Sequence, residues 1–275
     1  MKNLNLKVSI LLLTLFAVSC NETKKDENAA STDISSLRNE YFINAILYNY
    51  YAAEYKALSY QAFNAASDYI KLLKISFPHR ADMAIVLDLD ETLLDNSPYQ
   101  ARLYEINASY DSLWNDWCNF AVARPIPGAL EFLNLADSMG FNLFYISNRK
   151  LKNVYTGTLK NMKELGFPQA DSLHLFLREK ENSKESRRIR VEKEHEIVML
   201  VGDNAGDFYE DTMDYLSRDS IVSSRQHEFG HRLIVLPNAI YGNWIESLGI
   251  QNKRDLDSLI ANMTLPFKNQ ISSNY

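Results

Sequence analysis

"AIVLDLDETLLDN", residues 84–96, sets an apolar run ahead of a carboxylate, repeats the carboxylate two places later at Asp90, and turns polar with Glu91 and Thr92. A short, continuous apolar run suits a strand covered on both faces, as strands of a parallel sheet are. Two carboxylates aimed into one place beyond its end repel each other, and three are costlier still, unless a cation neutralises them.

Other parts of the chain repeat the strand signal. Apolar runs stand at 83–89 ("MAIVLDL"), 142–147 ("NLFYIS"), 172–177 ("SLHLFL"), 196–202 ("EIVMLVG") and 232–237 ("RLIVLP"). Helical patterns fall between them near 127–139, 151–165, 183–194 and 205–217, with Pro127, Gly128 and Gly140 as edges. Strands alternating with helices predict an α/β fold, a parallel sheet with flanking helices. Reactive groups collect at the carboxyl ends of such strands. There the sequence offers Asp88, Asp90 and Thr92; Ser147, Asn148 and Arg149; and Asp203, Asn204 and Asp207, while Lys184 opens the helix after the third run.

Ahead of the sheet, residues 35–74 lack Gly and Pro and read as one long helix or two, with Tyr41, Tyr48, Tyr51 and Tyr55 as a packing stripe. The segment "LYEINASYDSLWNDW" (103–117) lies in an insertion after the first strand; with the N-terminal helices it can cap the sheet edge, Trp114 and Trp117 being expected in the cap core. On this expectation residues 35–76 and 96–125 form a small, mostly helical cap, 82–95 and 126–243 the core, and 244–275 a C-terminal helix and tail.

Composition narrows the function classes. With 275 residues, 46% of them hydrophobic, the chain can bury one large core. A net charge of −6 offers no basic face, which argues against a nucleic-acid polymer as partner. The start is different in kind: Lys2 and Lys7, then "VSILLLTLFAVSC" ending at Cys20. That run falls short of the ~20 residues of a spanning helix and has the layout of an export signal. "AVSC" resembles a bacterial lipobox, whose cysteine becomes the lipidated first residue; with Asn21 behind it, the expected place is the outer membrane, anchored through Cys20. Residues 21–34, polar and without periodicity, are the expected tether. With Cys20 lipidated, Cys118 has no disulfide partner and is expected as a small buried hydrophobe.

The clustered carboxylates suit a hard divalent ion with oxygen ligands, and magnesium fits. Such an ion also lowers the repulsion between an attacking carboxylate and a phosphate ester. One carboxylate can then act as nucleophile, the second as acid and base, with lysine and hydroxyl groups holding phosphoryl oxygens.

At these residues the chain resembles the haloacid dehalogenase superfamily, "DLDET" (88–92), "ISN" (146–148) and "GDNAGDF" (202–208) being similar to its motifs. More closely it resembles the class C acid phosphatases, bacterial lipoproteins, through "AAEYKALSYQAFNAA" (52–66), "AIVLDLDETLLDNSPY" (84–99), "FYISNR" (144–149), "SKESRR" (183–188) and "LPNAIYGNW" (236–244). The resemblance implies a Rossmann-like sheet and a magnesium-dependent phosphomonoesterase, with Asp88 as nucleophile and Asp90 as acid and base. It implies Asp88, the carbonyl of Asp90 and Asp203 as magnesium ligands, and Asp207 behind them or holding the metal's waters. Ser147 and Lys184 bind phosphate, supported by Asn148 and Thr92, and Tyr241 stacks a base or aryl ring. Homodimers occur in the family. Helix capping is the competing reading for Asp207.

Two rivals of other classes stay open at this point. "HEFGH" (227–231) matches the zinc-protease pattern, although Gly230 and the strand that follows disfavour the helix it needs. A surface-binding lipoprotein without turnover is the second. Within the enzymes, a narrow 5'-nucleotidase or a phosphotransferase could use the same residues.

Overall fold

In the computed structural model, residues 34–108, 112–210 and 214–272 are described. The leader, Cys20 and the tether as far as residue 33 lie outside them. Strands β1 (Met83–Leu87), β4 (Asn142–Lys150), β5 (Leu175–Arg178), β6 (Glu196–Gly202) and β7 (Leu233–Val235) make a five-stranded sheet. Its order is β5-β4-β1-β6-β7, and every pairing is parallel. A two-stranded antiparallel ribbon, β2 (Leu94–Asp95) with β3 (Arg124–Pro125), brackets the insertion after β1.

Central β1 is buried along its whole length, and its alternation divides the core. Met83, Ile85 and Leu87 face the larger cluster, with Phe63, Ile70, Phe132 and Leu133. Ala84 and Val86 face the smaller one, with Phe144, Phe176 and Leu200. Each large side chain so buried contributes roughly 1.5–3 kcal/mol.

The N-terminal segment is two helices, α1 (Ile34–Tyr51) and α2 (Ala53–Ser76), broken at Ala52, whose backbone is extended (φ −72°, ψ 133°). They have different partners. Helix α1 packs on α3 (Ser97–Glu105), as a cap element does. Helix α2 packs on α5 (Ala129–Ser138) and β7 and sends Tyr55, Phe63, Ala66 and Ile70 into the main core. The expectation that residues 35–76 belong wholly to the cap is corrected accordingly: the apolar face of α2 is spent on the sheet layer. The tyrosine stripe is also divided, Tyr55 being buried while Tyr51 is 75% exposed.

Helix α5 starts after Gly128 at φ +88°, where an added Cβ would meet the rings of Tyr60 and Phe63. In the insertion, α4 (Trp114–Phe120) lies on α6 (Leu151–Glu164), which follows β4. The expected helix at 205–217 is replaced by a single 3-10 turn, Ala205–Asp207, and by α8 (Tyr215–Ser224) further on. Asn204 and Asp207 cap the start of that turn reciprocally. Helix α7 (Glu185–Glu192) follows β5, and α9 (Asn243–Ser247) and α10 (Lys253–Ser272) end the chain. No described helix is long and apolar enough to cross a membrane.

Candidate active site

Because β1 lies between β4 and β6, the segments leaving all three strands meet at one edge. Asp88 continues the β1 ladder, its N–H donating to the Val201 carbonyl at 2.9 Å. The chain then turns tightly: Leu93 N and Leu94 N both donate to Leu89 O, and Glu91 takes a left-handed φ of 56°. Buried Asn96 fastens this turn, donating through its backbone N and Nδ2 to Glu91 (3.1 Å each) and through Nδ2 to Asp90 Oδ1 (2.9 Å). Its own Oδ1 accepts from Trp117 Nε1 at 2.7 Å.

Three carboxylates, of Asp88, Asp203 and Asp207, come within 4.8 Å of one another. They form the sole group of three or more potential metal ligands among the described residues. Lys184, at the start of α7 and buried with Asp88 and Asp207, donates from Nζ to Asp88 Oδ1 and to Asp207 Oδ1 (2.5 Å). Thr92 Oγ1 donates to Asp203 Oδ1 at 3.1 Å and lies 3.5 Å from Asp88 Oδ2. Asn238 Nδ2 donates to Asp203 Oδ2 at 2.8 Å. Asp207 Oδ2 accepts from Asn204 N at 2.9 Å, so Asp207 caps the 3-10 turn and also joins the carboxylate group. Burial, opposed by Lys184 and reinforced by the charges of Asp207 and Asp90, pushes Asp88 up to about 7. Burial and the charges of Asp207 and Asp88 likewise hold Asp203 well above the carboxylate range. Burial opposes the charge on Lys184, but Asp207 and Asp88 outweigh it and raise its pKa.

The Asp90 side chain faces another way. Arg149 Nη2 donates to Asp90 Oδ1 at 2.7 Å and Nε reaches both carboxylate oxygens at 3.1 Å. Ser147 Oγ donates to Asp90 Oδ2 at 3.3 Å. Asn148 is exposed on the edge, its Oδ1 accepting from Arg187 Nη2 at 2.6 Å, and Arg187 Nη1 donates to the Ser147 carbonyl at 2.7 Å. Arg187 thereby ties the end of β4 to the helix that carries Lys184.

These residues open into a cavity of about 1240 Å³, large enough for a nucleotide-sized ligand. Phe42 and Ile46 of α1, Leu103 of α3, Trp114 of α4 and Tyr241 line its walls. Trp114, expected in the cap core, has a cavity-lining position, while also meeting the Tyr99 ring at 5.0 Å. Trp117 packs against the main core. Cys118 is buried, and burial pushes its thiol up to about 12, as for an inert apolar side chain.

The sequence pattern brings Asp88, Thr92, Lys184, Asp203 and Asp207 together and places Asp90, Asn148 and Tyr241 around the same cavity, with Ser147 fully buried behind Asp90, to which its hydroxyl donates. It misses Asn96, Asn238 and Arg187 as parts of the site, and places Arg149 at the sheet edge without giving it a role. An Asn four residues past Thr92 and an Arg after Ser147-Asn148 were the available signals. "HEFGH" is not a helix: residues Gln226–Glu228 form a 3-10 turn, Glu228 pairs with Arg225 at 2.6 Å, and the His231 ring meets Tyr69.

The fold is similar to that of the class C acid phosphatase from Bacillus anthracis. The tungstate-bound structure of that protein matches with a TM-score of 0.74 and 38% identity over 78% of this chain and 90% of that one. A second structure of it matches with a TM-score of 0.74 and 36% identity over 84% and 98%. Among curated proteins, the class B acid phosphatase of Xenorhabdus bovienii (strain SS-2004) is 25% identical over 149 residues, 50% of this chain and 62% of that protein. A stem 31 kDa glycoprotein of Glycine max is 25% identical over 198 residues, 70% of this chain and 68% of that protein. The model of the HAD superfamily, subfamily IIIB (acid phosphatase), matches residues 10–244. With the acidic edge at the end of its parallel sheet, the chain belongs to that subfamily and is an acid phosphatase, a phosphoric monoester hydrolase.

Proposed function

We propose that the enzyme hydrolyses phosphomonoesters, nucleoside 5'-monophosphates and aryl phosphates among them, through an aspartyl-phosphate on Asp88 with magnesium as cofactor. The observation that carries this reading is the grouping of buried Asp88, Asp207 and Lys184 with half-buried Asp203 at the end of β1.

The donor set fits a hard divalent cation: three carboxylates, offset by one buried ammonium, present oxygens to one point. Asp88, Asp203 and Asp207 would hold it, with the Asp90 carbonyl as the further ligand implied by family resemblance. When bound, the ion neutralises charge on the phosphoryl group and relieves its repulsion from Asp88.

The chain's own residues do the rest. A carboxylate oxygen of Asp88 bonds to phosphorus as the ester P–O bond breaks, and the carboxyl of Asp90 gives its proton to the leaving oxygen. In the second half, Asp90 takes a proton from water, whose oxygen bonds to phosphorus and releases Asp88. Lys184 and the Ser147 hydroxyl hold phosphoryl oxygens, Thr92 keeps Asp88 and Asp203 aligned, and Asn148 supports the phosphate at the rim. Tyr241 offers an aromatic face to a base or aryl leaving group. The protein works at the outer membrane, held by lipid on Cys20.

Phosphate release from a nucleoside 5'-monophosphate, with magnesium or EDTA, is the test. Release that requires magnesium and disappears in Asp88→Asn is expected. Equal release by Asp88→Asn and native enzyme removes Asp88 as nucleophile. Metabolic labelling with a fatty acid, lost in Cys20→Ser, checks the anchor.

A further inference from the structure

We propose that Arg149 is a positioning residue that fixes the Asp90 carboxyl for proton transfer to and from the leaving oxygen. The inference rests on the reading of Asp90 as acid and base.

Asp90 sits at the second position of a tight turn and could swing on its side-chain torsions. Five hydrogen bonds fix it: three from Arg149, one from Asn96 and one from Ser147. The Arg149 contribution is two-pronged, with Nη2 and Nε on the carboxylate, a geometry that sets the plane of the group as well as its place. Arg149 is in turn immobilised. It is 2% exposed, its Nη1 donates to Thr158 Oγ1 of α6 at 3.0 Å, and its guanidinium lies 5.5 Å from the Trp114 ring centroid.

Trp114 and Asp90 line the same cavity that receives the ester, so the orientation set by Arg149 is presented to the substrate. Asp88 faces Lys184, Asp203 and Asp207, whereas Asp90 faces Arg149, so the two carboxylates two residues apart are aimed by different cations. A proton donor held to within a fraction of an ångström is what general acid catalysis requires. In the first half-reaction the proton leaves the Asp90 carboxyl for the leaving oxygen as the ester P–O bond breaks, and in the second water returns one, so no co-reactant is needed.

A purely structural Arg149, which merely fastens α4 and α6 to the sheet, would affect all substrates alike. A positioning role affects substrates in proportion to their need for a proton. The test compares an alkyl phosphate, whose alkoxide must be protonated, with p-nitrophenyl phosphate, whose phenolate leaves without help. For Arg149→Met we expect kcat to fall about 100-fold on the alkyl ester and less than about 10-fold on the aryl ester, KM changing less than about twofold. Thr158→Val removes only the Nη1 acceptor and guards against a folding failure of the first variant. It is expected to lower kcat about 3- to 10-fold on the alkyl ester alone, with a melting temperature lowered by the stranded buried donor yet still above the assay temperature.

Asp90→Asn separates the two claims. A large leaving-group-dependent loss in Asp90→Asn, with equal losses on both esters in the Arg149 and Thr158 variants, leaves the acid in place and overturns the positioning role. Equal losses on both esters in Asp90→Asn overturn the acid reading itself.

Discussion

Replacing Lys184 by methionine keeps the bulk of the side chain and removes its charge. Lys184, Asp88 and Asp207 are 7%, 8% and 7% exposed, so little water is available to take over the role of the ammonium. Breaking a buried pair by deleting one partner costs about 3–5 kcal/mol, most of it the penalty of the stranded carboxylates. That is a large share of the ~5–15 kcal/mol that holds a typical domain folded. With a urea slope of about 3 kcal/mol per molar, the upper end for small domains, the unfolding midpoint in EDTA at pH 8 should fall by about 1 to 1.7 M. Magnesium should restore part of it, since an ion at 100 times its Kd adds about 2.7 kcal/mol and compensates the same carboxylates. Urea unfolding of native and Lys184→Met protein, with EDTA and with magnesium, measures both effects. A midpoint shifted by less than about 0.2 M in EDTA would refute the placement of Lys184 as the buried counter-ion.

Other outcomes follow from the same geometry. Asp88, raised to about 7 from an ordinary 3.8 chiefly by burial, is favoured in its neutral form by folding. Its contribution to stability is therefore full below about pH 4 and lost as pH rises through 7, and melts in EDTA at pH 5 and pH 8 that coincide would contradict it. Gly202→Ala places a methyl group against the Asp207 side chain, so the carboxylate must move. Activity should fall at least about tenfold with a weaker magnesium dependence, read from a metal titration of phosphate release. Tyr241→Leu should raise KM for a nucleoside monophosphate about 5- to 20-fold, as the loss of one stacking partner worth ~1–3 kcal/mol allows, and leave KM for a small alkyl phosphate within about twofold.

Much of the sheet is legible because β1, β4 and β6 are buried on both faces and so read as unbroken apolar runs that stop at polar residues. Where such runs stop, the site begins, which is why Asp88, Ser147 and Asp203 can be picked out before any contact is known. Partners are less legible. The apolar face of α2 is visible as a pattern, yet nothing in it says that the face packs on α5 and β7 rather than on a cap. Neither Gly nor Pro marks the break at Ala52. The helix expected at 205–217 is cut to one 3-10 turn although Asn204 and Asp207 cap its start, so a start signal in the sequence does not tell how far the helix runs. Arg149 reaches Asp90 across 59 residues, and a contact of that separation leaves no periodic trace.

How can aspartates crowd one edge without driving it apart? Each carboxylate has a different answer. Asp90 is matched by Arg149 and, through Asn96, by the turn that follows it. Asp88 and Asp207 share Lys184. Asp203 receives hydrogen bonds from Thr92 and Asn238, both neutral, so its charge is solvated by dipoles and not cancelled. Counting charges over the buried group, three carboxylates against one ammonium leave two negative charges in a water-poor site. Protonation removes them one at a time, and it falls on the nucleophile as well as on its neighbour, since burial raises both Asp88 and Asp203. A divalent cation removes both at once and leaves Asp88 ionised, so the stability of the site and the reactivity of its nucleophile call for the same ion.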